Sequence, residues 1–473
     1  MVGVTQPTRR TCRNRSVAGS NPARPTKILA ASFGCLLKIP TDYRATYSFF
    51  KTVEVHLLKI GASIKSYMTL RAIMVAKADF GMVVGALFEV SLRTSLIKPS
   101  AIRRMLELSA GMKNVVHLEQ GEPDFTTPTH ILEAAVEATR KGFTHYTEID
   151  GTLELRQAIA EKLERENGVD ADPQTEITVT SGSQEAMLIA ALGFLNSGDE
   201  ALILDPYYPA GFEDILLAEA KPIAVPLDER RNYEIEMEAL EGKITKRTKM
   251  IWMCNPSNPT GHVFSKHDLE IIAEVAQKHN LIVFTDEIYE KIVYDGTRPI
   301  SIGSLPGMED RTITVNGFSK AYAMTGWRIG YVVAGKELSA TLRKLHYYAV
   351  LCPNAISQKA AVAALTGPQD RVKEMVAEYD RRREFVLHEL EKIESLSYSR
   401  PKGAFYVFPN FSSFEKSDEA LASRLLKEVG VVTAPGSGFG KAGEGHLRIS
   451  YSVSYEQVKE GMKRIRRCLE HKV

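Results

Sequence analysis

From about Phe88 to the C-terminus, helical apolar spacing alternates with short β-branched or apolar runs. Helices are predicted over Ile131–Lys141, Leu153–Glu166, Glu185–Leu195 and Lys266–His279. Strands are predicted over Glu176–Thr180, Glu200–Leu204, Lys249–Cys254, Leu281–Thr285 and Thr312–Val315. Strands separated by helices imply βαβ units, hence an α/β fold with a mostly parallel sheet. In such sheets ligands bind beyond the carboxyl ends of the strands. The last third changes character: long helical patterns over Asp370–Ile393 and Asp418–Glu428, with short strands at Ala404–Phe408 and His446–Ser450, read as a smaller α+β unit.

The first eighty residues carry no clean period. Met1–Thr41 contains no Asp or Glu but has Arg9, Arg10, Arg13, Arg15 and Arg24. A transit peptide and a DNA-binding arm share that composition. The run Gly19-Ser-Asn-Pro22 also matches what the T-arm of a transfer-RNA gene encodes if translated. An over-extended reading frame, with Met82 as the true start, is therefore the favoured reading, and residues 1–81 are expected to be a disordered or non-native extension. A transfer-RNA gene in the upstream DNA would support this, and its absence would remove the argument. The remaining chain divides into 82–130, a segment joining the small domain; 131–344, a large domain; and 345–473, a small C-terminal domain.

A net charge of +2 over 473 residues gives no reason to expect nucleic acid as a partner. The longest early apolar run, Ile28–Leu37, lies between Lys27 and Lys38 and falls short of the roughly 18 residues a membrane span needs. Five scattered cysteines without a C-x-x-C pair favour a reduced compartment, the cytoplasm, over a disulfide scaffold or a zinc site, and no metal is expected.

The polar residues with chemical promise follow the strands. Lys320 lies in Asn316-Gly-Phe-Ser-Lys-Ala-Tyr-Ala-Met-Thr-Gly-Trp-Arg-Ile-Gly330. An unprotonated lysine amine forms a Schiff base with an aldehyde, and burial or nearby positive charge lowers its pKa enough to permit this. Ser319 and Arg328 suit a phosphate, although a lone loop lysine is most often a solvated charge. Asp286 and Tyr289 end the most apolar strand, in Phe284-Thr-Asp-Glu-Ile-Tyr289. A buried Asp there needs a positive partner such as a protonated ring nitrogen, or it simply caps a following helix. Asn255-Pro-Ser-Asn-Pro-Thr-Gly261 is either a Pro-rich turn or a rigid mount for the Asn258 amide. Thr180-Ser-Gly-Ser-Gln-Glu185 joins a strand to a helix whose N-terminus suits phosphate, as many capped helices do. Arg448, in His446-Leu-Arg-Ile-Ser450, suits a carboxylate or a surface ion pair.

In this order and spacing, the segments from about Phe88 onward resemble the class I aminotransferases of the pyridoxal-phosphate (PLP) fold type I family, most of all archaeal and other prokaryotic aspartate and aromatic-amino-acid aminotransferases. The resemblance implies a large domain with a mostly parallel seven-stranded sheet flanked by helices, plus a smaller α+β domain. It implies PLP-dependent transamination of an L-amino acid, aspartate first, with 2-oxoglutarate as acceptor. Aromatic amino acids or alanine are the alternative donors. Lys320 would be the Schiff-base lysine and proton carrier, Asp286 the partner of the pyridine nitrogen, and Tyr289 and Asn258 the partners of the phenolic oxygen. Gly182, Ser183, Gln184, Ser319 and Arg328 would surround the phosphate, and Tyr208 would stack on the ring. Arg448, Asn258 and the Gly121 backbone, in Gln120-Gly-Glu-Pro-Asp124, would bind the substrate carboxylate. Tyr146 would reach the phosphate of the partner subunit, so the resemblance also implies a homodimer. It implies cis peptides before Pro206 and Pro259. Many relatives carry a phosphate-binding Ser three residues before the lysine; here that position is Gly317. Two other readings remain open: a PLP lyase or decarboxylase on the same fold, and an aminotransferase-like transcription regulator, against which stands the lack of a helix-turn-helix pattern before Phe88.

Overall fold

A computed structural model describes residues 90–97 and 99–470. The expectation for residues 1–81 lies outside these residues. The strands in chain order are β1 (Val116–His117), β2 (Ile177–Thr180), β3 (Glu200–Asp205), β4 (Lys221–Pro226), β5 (Thr248–Cys254), β6 (Ile282–Asp286), β7 (Thr312–Gly317), β8 (Gly330–Ala334), β9 (Tyr406–Val407), β10 (Val431–Val432), β11 (Ala434–Pro435) and β12 (Leu447–Ser450). Seven of them form one sheet in the order β2-β8-β7-β6-β5-β3-β4. All neighbours are parallel except β8, which runs antiparallel to both β2 and β7. The expected α/β sheet of seven mostly parallel strands is therefore present.

Alternation along the strands divides the core. Leu202, Leu204, Ile251, Met253 and Val283 face the helix Lys266–His279. Their neighbours Ala201, Ile203, Met250, Trp252 and Phe284 face the opposite side, against the helix Ser183–Phe194 and Leu342 of the helix Lys336–Val350. Successive residues of a strand point to opposite faces, so apolar runs that look continuous in sequence supply two layers. A third and larger cluster joins helices Thr129–Arg140, Leu153–Lys162, Ala355–Thr366 and Asp370–Leu390 to the short strands. Those strands pair as β1-β10 and β11-β12-β9.

The five strands read from sequence are all in the sheet. The sequence reading missed β4 and β8. β4 carries Pro222 and Pro226, which disfavour a strand, but it is the sheet edge and is half exposed. β8 opens at Gly330, the last residue of the Lys320 motif, and is only five residues long. The predicted helix Leu153–Glu166 is α-helical to Lys162 and closes with a π-turn over Leu163–Asn167; Asp418–Glu428 likewise closes with a π-turn over Leu425–Val429.

Helix Lys266–His279 has the bounds the sequence predicts because both its ends are sealed. The Ser265 hydroxyl accepts the Asp268 amide at 3.2 Å, and the Asp268 carboxylate accepts the Ser265 amide at 2.9 Å. Asn280 stops the helix in the left-handed conformation, φ 52°. Replacing Ser265 with Ala removes one side of this cap. It is expected to lower stability by about 1 kcal/mol, read as an earlier unfolding midpoint with cofactor affinity unchanged.

Candidate active site

The parallel strands β5, β6 and β7 end at the same edge of the sheet and deliver Asn258, Asp286 with Tyr289, and Lys320. β8 runs the other way, so it begins at this edge, and the residue two before it is Arg328. Opposite Gly330, at the end of β2, lies the Gly182 loop. The peptides before Pro206 and Pro259 are cis as expected, and so is the peptide before Pro256.

The Lys320 amine donates to the Gly121 carbonyl and lies 5.9 Å from the centroids of both Tyr289 and Phe405. Burial, reinforced by Arg448, pushes its pKa down to about 8, while the Asp286 carboxylate pulls the other way. Asp286 is buried at the end of β6. One of its oxygens accepts the Ile288 amide at 3.1 Å, closing a turn and not a helix. Burial pushes its pKa up to about 6. Tyr289 is fully enclosed, and burial raises its pKa. Tyr208 is pushed up to about 12, again by burial, with Tyr406, Asp286 and Arg448 as its charged or polar neighbours. Tyr208, Asn258 and Asp286 line one cavity together with Cys254.

Arg448 is 2% exposed. It donates to the Asn258 side-chain oxygen at 2.9 Å and to the Glu119 carbonyl, and its guanidinium stands 4.3 Å from the Tyr406 ring centroid. Tyr406 in turn shares a 2.9 Å hydroxyl–hydroxyl bond with Tyr289. Gly121 is hemmed in by the same residue: a Cβ there would fall 2.4 Å from the Tyr406 hydroxyl. Lys320, Asp286, Tyr289, Asn258, Tyr208, Arg448 and Gly121 thus converge, although they are spread over more than three hundred residues.

A second group forms the rim. Gly182 has φ +81° and precedes the helix Ser183–Phe194; a Cβ there would meet Arg328 Nη2 at 2.5 Å. A Cβ at Gly330 would lie 2.8 Å from the Ser183 amide nitrogen. Arg328, itself left-handed at φ 50°, is exposed and donates to the Thr325 carbonyl at 2.9 Å. Ser319 is buried, and Gln184 is exposed, 3.5 Å from Asp214. Gly317 stands where a serine was noted as usual: a Cβ here would be only 3.1 Å from Ile288 Cδ1 and 3.3 Å from the Ile329 carbonyl. Tyr146 is 83% exposed and outside this constellation.

Tyr406 is the residue the sequence reading missed. It sits in the apolar run Ala404–Phe408, where a tyrosine reads as core. The signal available was the run's position beside the strand carrying Arg448, since β9 and β12 pair with Tyr406 opposite Ser450.

The sequence profile described as Aminotransferase class I and II matches residues 113–465. The chain belongs to this family. It is 44% identical to an aspartate aminotransferase of Pyrococcus abyssi and 42% identical to aromatic-amino-acid aminotransferase 2 of Thermococcus litoralis, each over 80% of this chain and 98% of the relative. The crystal structure of an aromatic aminotransferase from Pyrococcus horikoshii superposes with a TM-score of 0.74 at 44% identity, over 78% of this chain and 99% of that one. The chain is accordingly an aminotransferase of fold type I that acts on amino and 2-oxo acids with pyridoxal 5′-phosphate. Among the described residues no helix is long and apolar enough to cross a membrane.

The residues fit the cofactor. A buried amine with a lowered pKa would suit its aldehyde, and a buried carboxylate whose ionisation is disfavoured would gain a cation from its ring nitrogen. A glycine cradle at a helix N-terminus beside Arg328 would suit its phosphate. Two outcomes follow. In cofactor-free protein, the reaction of Lys320 with pyridoxal phosphate, followed by absorbance, should accelerate with pH as the amine loses its proton and level off above about 8. A rate still climbing toward the ordinary lysine value of 10.5 would mean that the amine is solvated. Gly182→Ala adds a methyl against Arg328 in a left-handed backbone and should weaken cofactor binding by about tenfold or more, measured by equilibrium dialysis.

Proposed function

We propose that this aminotransferase moves the amino group of L-aspartate to 2-oxoglutarate, with Lys320 as catalytic amine. The observation that carries the assignment of roles is the position of the Lys320 amine. It lies on the Gly121 carbonyl, 5.9 Å from the Tyr289 ring centroid, and feels both the Asp286 carboxylate and the Arg448 guanidinium, which in turn holds Asn258. When bound, the cofactor supplies an electron sink for negative charge at the substrate α-carbon. Lys320 Nζ takes the α-proton and returns it on the way to product, and its lowered pKa suits it to both steps. Asp286 holds the pyridine nitrogen protonated, and Tyr289 with Asn258 holds the ring's phenolic oxygen. Tyr208 covers the ring face. Gly182, Ser183, Gln184, Ser319 and Arg328 hold the phosphate. Arg448, steadied by Asn258 and the Glu119 carbonyl, takes the substrate carboxylate beside the Gly121 backbone.

We further propose a homodimer in which Tyr146 reaches the phosphate in the partner's site. Its 83% exposure supports a covered surface, as does the 85% exposed Tyr348, which follows His346, whose ring donates to the Ile149 carbonyl three residues beyond Tyr146. The large domain is read as 131–344, with 82–130 and 345–473 making the smaller one; helix Lys336–Val350 then runs across the division. The free thiols of Cys254, Cys352 and Cys468 support a cytoplasmic location.

Aspartate as donor is supported by the likeness to the Pyrococcus abyssi aspartate aminotransferase, and aromatic donors by the likeness to the Thermococcus litoralis aromatic-amino-acid aminotransferase. Excess aspartate added to holoenzyme without a 2-oxo acid should shift the visible cofactor band once, and 2-oxoglutarate should restore it. A faster shift with phenylalanine or tyrosine than with aspartate would establish the aromatic reading instead. Lys320→Ala should lower the rate of that shift by roughly 10²–10⁴-fold; an unimpaired rate would remove Lys320 from the mechanism.

A further inference from the structure

We propose that Tyr406 is a positioning residue that commits the phenolic proton of Tyr289 to the cofactor. The inference rests on the role proposed above for Tyr289. A phenol has one proton to donate and two lone pairs to accept with. The Tyr289 and Tyr406 hydroxyls are 2.9 Å apart and buried, so one donates to the other. If the Tyr289 proton is directed at the ring's phenolic oxygen, the bond between the two tyrosines must be donated by Tyr406. A hydroxyl that accepts one hydrogen bond becomes a stronger donor in the next.

The surroundings hold Tyr406 in that task. Its ring meets Tyr289 edge-on, with centroids 5.8 Å apart and planes at 78°, and Phe405 packs edge-on against Tyr289 from a centroid distance of 5.4 Å. Strand β9 fixes the backbone by pairing Tyr406 with Ser450 on β12. The Arg448 guanidinium over the ring opposes the rise that burial imposes on the pKa of both tyrosines, so the direction of the bond between them is set by the ring oxygen's claim on the Tyr289 proton. Gly121 leaves space for that hydroxyl where any side chain would meet it at 2.4 Å. Tyr406 therefore touches the cofactor-side tyrosine and the carboxylate-side arginine at once, and its hydroxyl serves the first of them.

The test is the pH midpoint of the visible absorption band of holoenzyme variants. Tyr406→Phe keeps the ring under Arg448 and removes only the hydroxyl. Tyr289 becomes a weaker donor and leaves more negative charge on the ring oxygen. The proton on the neighbouring lysine nitrogen is then held to higher pH, and the midpoint should rise by roughly 0.4–1 pH unit, the size of one hydrogen bond. Tyr289→Phe should raise it further, and the double variant should match Tyr289→Phe alone. KM for the amino acid should stay within about twofold, because the aromatic face under Arg448 remains. An unmoved midpoint in Tyr406→Phe, beside a shifted one in Tyr289→Phe, overturns this inference and leaves the Tyr289 role standing. Shifts that add in the double variant overturn it too, since Tyr406 would then act without Tyr289. No shift in either single variant overturns the Tyr289 role and this inference with it.

Discussion

Burial of the Lys320 amine beside Arg448, with Asp286 on its other side, is the interaction around which the site is arranged. Desolvation disfavours the ammonium, a second cation disfavours it further, and the carboxylate restores part of the loss. The balance brings the amine to about 8, which suits the proposed roles of nucleophile and proton carrier near neutral pH. Asp286 answers the same burial in the opposite direction, drifting up to about 6 until a ring cation faces it. Neither group is tuned alone: a solvated Lys320 would keep its proton, and an Asp286 without that neighbour would hold its own proton more firmly.

The burial depends on the sheet. Parallel β5, β6 and β7 end together, and helices pack both faces, so the residues just past the strand ends are the first polar groups outside an apolar slab. β8 reverses direction and so carries Arg328 to the same edge, beside the Gly182 loop. A parallel β8 would have put Arg328 at the far end of the sheet. One antiparallel strand thus brings Arg328, the cation proposed for the phosphate, to the edge where the amine lies.

The parts legible from sequence were those marked by composition. Apolar runs gave β3, β5 and β6, and Gly, Pro and Asn punctuation gave the loops after them. Direction was not legible, because β8 looks like any short buried strand until its partners are known. β4 was hidden by prolines that only an edge strand tolerates. Within the site, charged and amide side chains stand out in a loop, whereas Tyr406 lies in an apolar run, and its hydroxyl acquires meaning only from Tyr289 across the fold. The loss of a usual serine at Gly317 was visible in sequence, but its physical correlate was not: the position is walled by Ile288 and the Ile329–Gly330 backbone.

The two ends of the site are supported by different parts of the fold. The proposed cofactor end hangs from the seven-stranded sheet. The proposed carboxylate end hangs from short strands: β1 pairs with β10, the Ser450 amide donates to the Leu118 carbonyl at 2.7 Å, and Arg448 on β12 donates to the Glu119 carbonyl. Gly121 follows two residues later and receives the Lys320 amine. A small displacement of the short strands would therefore move the carboxylate grip and the Gly121 carbonyl together while Asp286 and the Gly182 cradle stayed fixed. On the proposed roles, such a displacement changes how the substrate is held against the lysine and leaves the cofactor's anchoring intact. This separates the proposed grip on the carboxylate, which every amino-acid substrate shares, from the proposed anchoring of the cofactor.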